Sequence, residues 1–133
     1  MTRSARCCCG AASVTVAGEP EVNGVCHCTD CKRRTGSAFG WQVYVQDDAV
    51  IATSGELAIY VVGDPPRQQR HFCTACGTTL WWKSDFLPAH TGLAAGSFEP
   101  PMPEPSLRVS EDKRCSWVEL PEGWSRTFRL AAT

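Results

Sequence analysis

The sequence of 133 residues predicts a single domain, residues 1–133, of mainly β structure. Short stretches with an apolar residue at every second position alternate with turns rich in glycine and proline. No apolar stripe with helical spacing continues for more than two turns. All cysteines except Cys115 fall in three short clusters. A domain of this size has a modest core, so cross-links through such clusters would help to hold it together.

The first half of the chain carries the clearest strands. A strand is predicted at residues 13–16, which alternate and are followed by a Gly-Glu-Pro turn, and residues 21–25 lead into the central cysteines. Two more strands are predicted at residues 49–53 and 56–62. The strongest pattern lies at residues 39–46, where large apolar side chains occupy every second position: Phe39, Trp41, Val43 and Val45.

The second half is divided by a proline-rich segment. Residues 73–77 form a turn between two strand-like stretches, and residues 90–95 predict another strand. Residues 99–105 contain four prolines and cannot form a helix or a central strand, so we expect a surface crossing there. Two short strands are predicted beyond it, at residues 107–110 and 115–120.

The central cluster, Cys26, Cys28 and Cys31, has the spacing C-x-C-x2-C. One tight loop of this kind can turn three sulfurs toward a single metal ion, and thiolate ligands in tetrahedral geometry favour Zn²⁺. Three protein ligands leave the fourth position open. An open position is typical of a catalytic zinc, because a thiol, carbonyl or water can bind there.

The two outer clusters complement one another. The pair Cys7 and Cys9 has the spacing C-x-C, and the pair Cys73 and Cys76 has the spacing C-x2-C. Each pair is followed by glycine, which supplies the permissive backbone that a metal-binding turn requires. Together the four thiolates would complete a tetrahedral site, so we interpret this second zinc site as structural.

The central cluster also allows a less specific interpretation. A fourth protein ligand such as His27, His90 or Cys115 would close the site and make it a second structural zinc. His27 lies between two of the cysteines, and an extended backbone would point it away from them. Cys8 and Cys115 remain outside both sites and are interpreted as small apolar residues or idle thiols.

Charge and composition limit the function classes. The formal net charge is −1, and neither sign forms a long run. No basic helix accompanies the cysteines, which argues against nucleic acid as a primary partner. No apolar run approaches the roughly 18 residues that span a bilayer. Residues 1–17 resemble a weak export signal, but cleavage would remove Cys7 and Cys9, so we expect a cytoplasmic protein in a reducing compartment.

The three motifs together resemble those of a known family. The runs C-x-C-G, C-H-C-x2-C-K-R-R-T-G-S-A-F and H-F-C-x2-C-G-T-T-L are similar to the glutathione-dependent formaldehyde-activating enzyme family. The resemblance implies a β-tent fold, with several small coiled antiparallel sheets held by zinc knuckles. It also implies a structural zinc at the outer cysteines and a catalytic zinc at the central ones: Cys7, Cys9, Cys73 and Cys76, and Cys26, Cys28 and Cys31.

The resemblance further implies a carbon–sulfur lyase activity. Glutathione would bind the catalytic zinc as a thiolate and attack formaldehyde, giving S-hydroxymethylglutathione, and a related thiol or aldehyde would fit the same chemistry. The competing hypothesis is a zinc-stabilised binding module without enzymatic activity.

Five residues that follow the central cysteines are candidate contacts for the carboxylates of glutathione. Charge-assisted contacts suit cations, and backbone amides of a Gly-Ser turn suit a carboxylate. The cations could instead only offset the negative charge of the zinc–thiolate sites. The five residues are Lys32, Arg33, Arg34, Gly36 and Ser37.

Overall fold

The computed structural model describes residues 1–127 and is mainly β. It contains one α-helix, α1, at Thr29–Thr35, and three short 3-10 helices at Asp47–Ala49, Ala95–Ser97 and Glu111–Lys113. The strands are β1 (Thr2–Arg6), β2 (Ser13–Ala17), β3 (Val22–Cys26), β4 (Gly40–Gln46), β5 (Val50–Ser54), β6 (Leu57–Val62), β7 (Gln68–Cys73), β8 (Thr79–Ser84), β9 (His90–Ala94) and β10 (Leu107–Val109).

The strands form two sheets. The smaller sheet has the order β1-β2-β5, and the larger sheet has the order β10-β3-β4-β9-β8-β7-β6. All neighbours pair antiparallel except β10 and β3, which run parallel. The predicted mainly β fold is confirmed, with two sheets in place of several smaller ones and one parallel pair at the edge of the larger sheet.

The larger sheet is covered on both faces next to β4. Val43 and Val45 point into the main core, which they share with Val14 and Val16 of the smaller sheet. On the opposite face Tyr44 belongs to a second buried cluster. The alternation predicted for this strand is therefore confirmed, and its second face, which also carries Gln42, adjoins the central cysteines.

Helix α1 begins and ends within the central motif. The Cys28 thiol accepts a hydrogen bond from the Cys31 amide at 3.3 Å and so caps the first turn. Gly36 ends the helix in the left-handed region (φ 67°), and its amide donates to the Lys32 carbonyl. The two-turn length of α1 agrees with the expectation that no longer helix would form. Among the described residues, no helix has the length and apolar character of a membrane span.

One predicted strand is wrong, and two were missed. Residues 115–120 form a turn, closed by the Val118 amide on the Cys115 carbonyl at 3.0 Å, and the Arg114 guanidinium donates to the Val118 carbonyl. These polar contacts satisfy the backbone without a sheet partner. Strands β1 and β3 were not predicted. Strand β3 is buried on both faces, so its sequence shows no alternation. The predicted crossing at 99–105 contains no helix or strand, as expected.

Two candidate metal centres and the adjoining cavity

The outer cysteines converge as their spacing predicts. The sulfur atoms of Cys7, Cys9, Cys73 and Cys76 all lie within 4.8 Å of one another. Cys9 Sγ lies 3.6 Å from Cys7 Sγ and 3.7 Å from Cys73 Sγ. A zinc–sulfur bond of about 2.3 Å in a tetrahedron requires sulfur atoms about 3.8 Å apart. The four thiols therefore have the donor type, number and spacing that a structural zinc requires.

Backbone contacts hold the two halves of this four-cysteine cluster in register. The Ala12 amide donates to Cys7 Sγ at 3.2 Å, and the Cys8 amide donates to the Thr78 hydroxyl at 3.0 Å, which links the N-terminal turn to the turn after β7. Thr78 Oγ1 also lies 3.2 Å from Cys76 Sγ, and this contact lowers the pKa of the Cys76 thiol to about 5. A low thiol pKa favours the thiolate that a metal binds.

The central cysteines form a second cluster at the junction of β3 and α1. Cys26 ends β3, Cys28 caps α1, and Cys31 lies in its first turn. Their three sulfur atoms lie within 4.8 Å of one another. This three-cysteine cluster can hold a metal ion with three protein ligands, as the spacing predicts.

Polar groups around the three-cysteine cluster favour thiolate. A hydrogen bond from the Cys31 thiol lowers the pKa of Cys26 to about 5, although burial opposes the shift. The same contact raises the pKa of Cys31, because the first charge forms on its neighbour. Beside them, the Arg34 guanidinium lies 4.4 Å over the Trp82 ring and 3.4 Å from Gln42 Oε1. Arg34 has no carboxylate partner within the described residues, so the thiolates supply its nearest negative charge.

No fourth ligand closes the three-cysteine cluster in the described part of the chain. Neither His27, His90 nor Cys115 joins it. The His27 ring is fully buried and packs edge-on against Phe39, with no hydrogen-bond partner in residues 1–127 for either ring nitrogen. Burial lowers the pKa of His27, so the ring is neutral at physiological pH. A fourth position is therefore free for a ligand from outside the chain.

A cavity of about 260 Å³ opens beside the three-cysteine cluster, and we call it the cysteine cavity. Two of its walls carry cations that come from β7 and the residue before it. Arg67 is paired with Asp30 of α1 through Nη2 and Oδ2, at 2.9 Å. Arg70 donates to the Asp30 carbonyl at 3.2 Å and to Gln68 Oε1 at 2.5 Å. The wall also carries the Asp30 and Asp85 carboxylates, so the cysteine cavity combines thiols with two cations and two anions.

Tyr44 supplies a hydroxyl on the wall of the cysteine cavity. Its oxygen accepts a hydrogen bond from Trp82 Nε1 at 3.0 Å. Burial raises the pKa of the Tyr44 phenol, so it retains its proton at neutral pH. The group can thus donate a hydrogen bond to a bound molecule.

The five predicted substrate contacts do not line the cysteine cavity. The Lys32 ammonium donates to the Lys113 carbonyl at 2.6 Å, Arg33 is exposed, and Arg34 is stacked on Trp82. Gly36 caps α1, and the Ser37 amide donates to Thr35 Oγ1. Their contact with a substrate therefore stays a prediction that the cavity does not support. The polar part of the cavity wall consists instead of residues that the sequence did not predict as contacts, among them Arg67, Arg70, Asp30, Asp85, Gln68, Ser84 and Tyr44.

Fold and clusters define a mainly β protein with two cysteine sites that can each hold a metal ion. The sequence model of the glutathione-dependent formaldehyde-activating enzyme family matches residues 2–113, and the chain belongs to this family.

Two relatives agree with this membership, and one solved structure shares the fold. A Halomonas elongata protein is 27% identical over 129 residues, covering 90% of this chain and 82% of its own length. A Fusarium vanettenii protein is 31% identical over 78 residues, covering 57% of this chain and 42% of its own length. Both are named "Putative glutathione-dependent formaldehyde-activating enzyme". The chain thus spans less than half of the fungal relative. The crystal structure of a Rhodobacter sphaeroides protein shares the fold, with a TM-score of 0.59 at 21% identity over 75% of this chain and 91% of that one.

Proposed function

We propose that this protein is a zinc-dependent carbon–sulfur lyase that joins glutathione, or a related thiol, to formaldehyde or another aldehyde. The observation that carries the proposal is the three-cysteine cluster at the wall of a cavity that also presents the guanidinium groups of Arg67 and Arg70. A purely structural zinc site normally has four protein ligands, whereas this cluster supplies three. Membership of the formaldehyde-activating family supports the same reaction class.

The two clusters divide structural and catalytic roles. Cys7, Cys9, Cys73 and Cys76 already supply four thiols, so zinc bound there is structural even though a broad surface depression lies beside it. The three-cysteine cluster of Cys26, Cys28 and Cys31 would hold the catalytic zinc. Zinc at that position supplies a Lewis acid that keeps a substrate thiol ionised at neutral pH.

The side chains around the cysteine cavity bind and orient the reactants. The Arg67 and Arg70 guanidinium groups face the cavity and suit the carboxylates of an anionic thiol such as glutathione. The Tyr44 hydroxyl is placed to donate a hydrogen bond to the aldehyde oxygen as it gains negative charge. Holding thiol and aldehyde together makes the addition effectively unimolecular.

The reaction is an addition in which atoms and charges balance. The thiol loses its proton to solvent, and the sulfur electron pair forms a bond to the carbonyl carbon. The carbonyl π bond breaks, its electrons move to oxygen, and that oxygen takes up a proton to become the hydroxyl of the hydroxymethyl thioether. No oxidant or reductant is consumed.

The direct test measures exchange between hydrated ¹³C-formaldehyde and S-hydroxymethylglutathione by NMR, with the zinc-loaded full chain at neutral pH. We expect exchange well above the uncatalysed rate. Cys28→Ser should return it to the uncatalysed rate, whereas Cys115→Ser, the same change outside both clusters, should retain the activity. Two bound metals without acceleration would contradict the lyase and favour a zinc-stabilised binding module.

A further inference from the structure

A second, apolar space continues from the cysteine cavity across one face of the larger sheet. It has a volume of about 270 Å³, and we call it the apolar chamber. The chamber and the cysteine cavity share five lining residues: Cys26, Gln42, Tyr44, Phe86 and Val109. The rest of the chamber wall is apolar and is formed by Val22, Gly24 and Leu107.

Strand register brings residues of three strands together at the wall of the chamber. Gly24 of β3 lies between Gln42 of β4 and Leu107 of β10. A Cβ atom at Gly24 would lie 3.1 Å from the Leu107 carbonyl oxygen and 3.2 Å from its Cβ. Leu107 therefore packs directly against Gly24 and leaves no room for a side chain there. Val109 pairs with Cys26 in the same register, and both residues line the chamber, so its wall includes a cluster thiol.

The two spaces differ in the chemistry that they can bind. All the charged side chains, Arg67, Arg70, Asp30 and Asp85, line the cysteine cavity alone, which therefore suits a charged reactant. The apolar chamber offers no charged side chain, so an anionic tripeptide would gain nothing there. The other reactant, the aldehyde, is the group left to occupy it.

Formaldehyde is too small to use this space. It has two non-hydrogen atoms, comparable to a water molecule of ~30 Å³, whereas the apolar chamber measures about 270 Å³. A chamber of that size has room for a substituent of roughly five to eight carbon atoms.

We infer that the aldehyde used by this protein carries an apolar substituent, which lies over Gly24 in the apolar chamber while its carbonyl carbon faces the three-cysteine cluster. This inference rests on the proposed lyase function and specifies its substrate class. Burial of each added methylene group should tighten binding about fourfold until the chamber is full.

The first experiment measures binding without any reaction. The full-length zinc-loaded protein, labelled at valine and leucine methyl groups, is titrated with unreactive 1-propanol, 1-butanol and 1-hexanol. We expect shifts confined to Val22, Leu107 and Val109, with affinity rising along the series. Shifts spread over the surface, or none at these three residues, would overturn the inference.

The second experiment measures selectivity with glutathione and a series of aldehydes. The ratio of kcat/KM for hexanal to that for formaldehyde should exceed tenfold in the parent protein. Val109→Phe fills the chamber and should lower this ratio and the 1-hexanol affinity at least tenfold. Phe86→Ala removes the outer wall at a side chain that is 60% exposed, so folding should persist while the ratio falls several-fold. The control Val61→Phe makes the same valine-to-phenylalanine change on the exposed strand β6. It should alter neither the kcat/KM ratio nor the 1-hexanol affinity.

The outcomes separate this inference from the proposed function. No acceleration with any aldehyde would overturn the lyase, and hexanol binding in that same sample would still support the chamber as an apolar binding site. Acceleration with formaldehyde that declines for longer aldehydes would overturn the inference alone. A rate that rises with the length of an alkanethiol instead of the aldehyde would also overturn it, because the chamber would then hold the thiol.

Discussion

Arg67 and Asp30 form a two-pronged ion pair at the rim of the cysteine cavity. Arg67 Nη2 lies 2.9 Å and Nε 3.1 Å from Asp30 Oδ2, while Nη2 lies 3.2 Å from Oδ1. Both side chains are well exposed, so the pair contributes little to stability. The pair instead positions Arg67. Asp30 lies between Cys28 and Cys31 in the sequence, so it holds the Arg67 guanidinium beside these two cysteines.

Arg67→Gln should weaken glutathione binding about tenfold while changing the free energy of unfolding by less than about 1 kcal/mol. The reason is that a charge-assisted contact to carboxylate is lost and no buried group is exposed. Titration calorimetry on the zinc-loaded protein measures the affinity. Arg33→Gln, the same change in an exposed helix arginine outside the cavity, is the matched control. A larger loss for Arg33→Gln than for Arg67→Gln would favour the contacts expected from the sequence.

Cys73→Ser should prevent stable folding, whereas Cys28→Ser should leave a folded protein. Structural zinc sites contribute ~10–16 kcal/mol, which is as large as the whole stability of a typical domain, about 5–15 kcal/mol. Cys73 ties the turn after β7 to the N-terminal turn, while Cys28 lies at the solvent-facing wall of a cavity. Circular dichroism with zinc analysis distinguishes the two. A folded, one-zinc Cys73→Ser protein would contradict the structural role.

Tyr44→Phe should cost about 1–2 kcal/mol of stability, because the buried Trp82 indole N–H loses its acceptor. It should also slow the addition by removing the donor to the aldehyde oxygen. Urea unfolding and the NMR exchange rate measure the two effects. An unchanged exchange rate with the expected loss of stability would restrict Tyr44 to a structural role.

Glu111→Gln should destabilise the protein by about 1–2 kcal/mol at neutral pH, with a difference that vanishes in acid. Glu111 accepts from the buried Arg108 at 2.7 Å and from Arg126 at 3.0 Å. The Arg108 hydrogen bond lowers the pKa of Glu111, so its stabilisation is present above the usual glutamate value of about 4.3 and is lost as pH falls through the lowered value.

Urea unfolding of both proteins between pH 2 and 7 measures the Glu111 effect. The matched control is Glu119→Gln, because Glu119 is exposed and makes no ion pair within residues 1–127. A difference that stays constant with pH would show that the ionised carboxylate is not the stabilising form.

The sequence was sufficient to predict the two cysteine clusters, because ligand spacing is local in each half-site. Cys26, Cys28 and Cys31 belong to one turn. In the other cluster, Cys7 and Cys73 each belong to a closely spaced pair of cysteines, and two such pairs supply the four ligands of one site. Strand β4 could be predicted equally well, because its alternation of apolar residues is contained within one segment of the sequence.

The cavity walls could not be predicted in this way. Arg67 and Arg70 reach the three-cysteine cluster only because β7 runs beside α1, about forty residues away along the chain. The apolar chamber depends on the parallel pairing of β10 with β3, which no local pattern specifies. The cations adjacent to the cysteines gave a stronger sequence signal but do not line the cavity. Lys32 is held by the Lys113 carbonyl, and Arg34 is held by Trp82 and Gln42.

The most direct measurement follows the metal–thiolate absorption of a cobalt-substituted sample while glutathione is added. We expect close to two metals per chain, with the spectrum of one changing on titration and that response absent in Cys28→Ser. A single metal that is retained in Cys28→Ser but lost in Cys73→Ser would contradict it, because the three-cysteine cluster would then bind neither metal nor thiol.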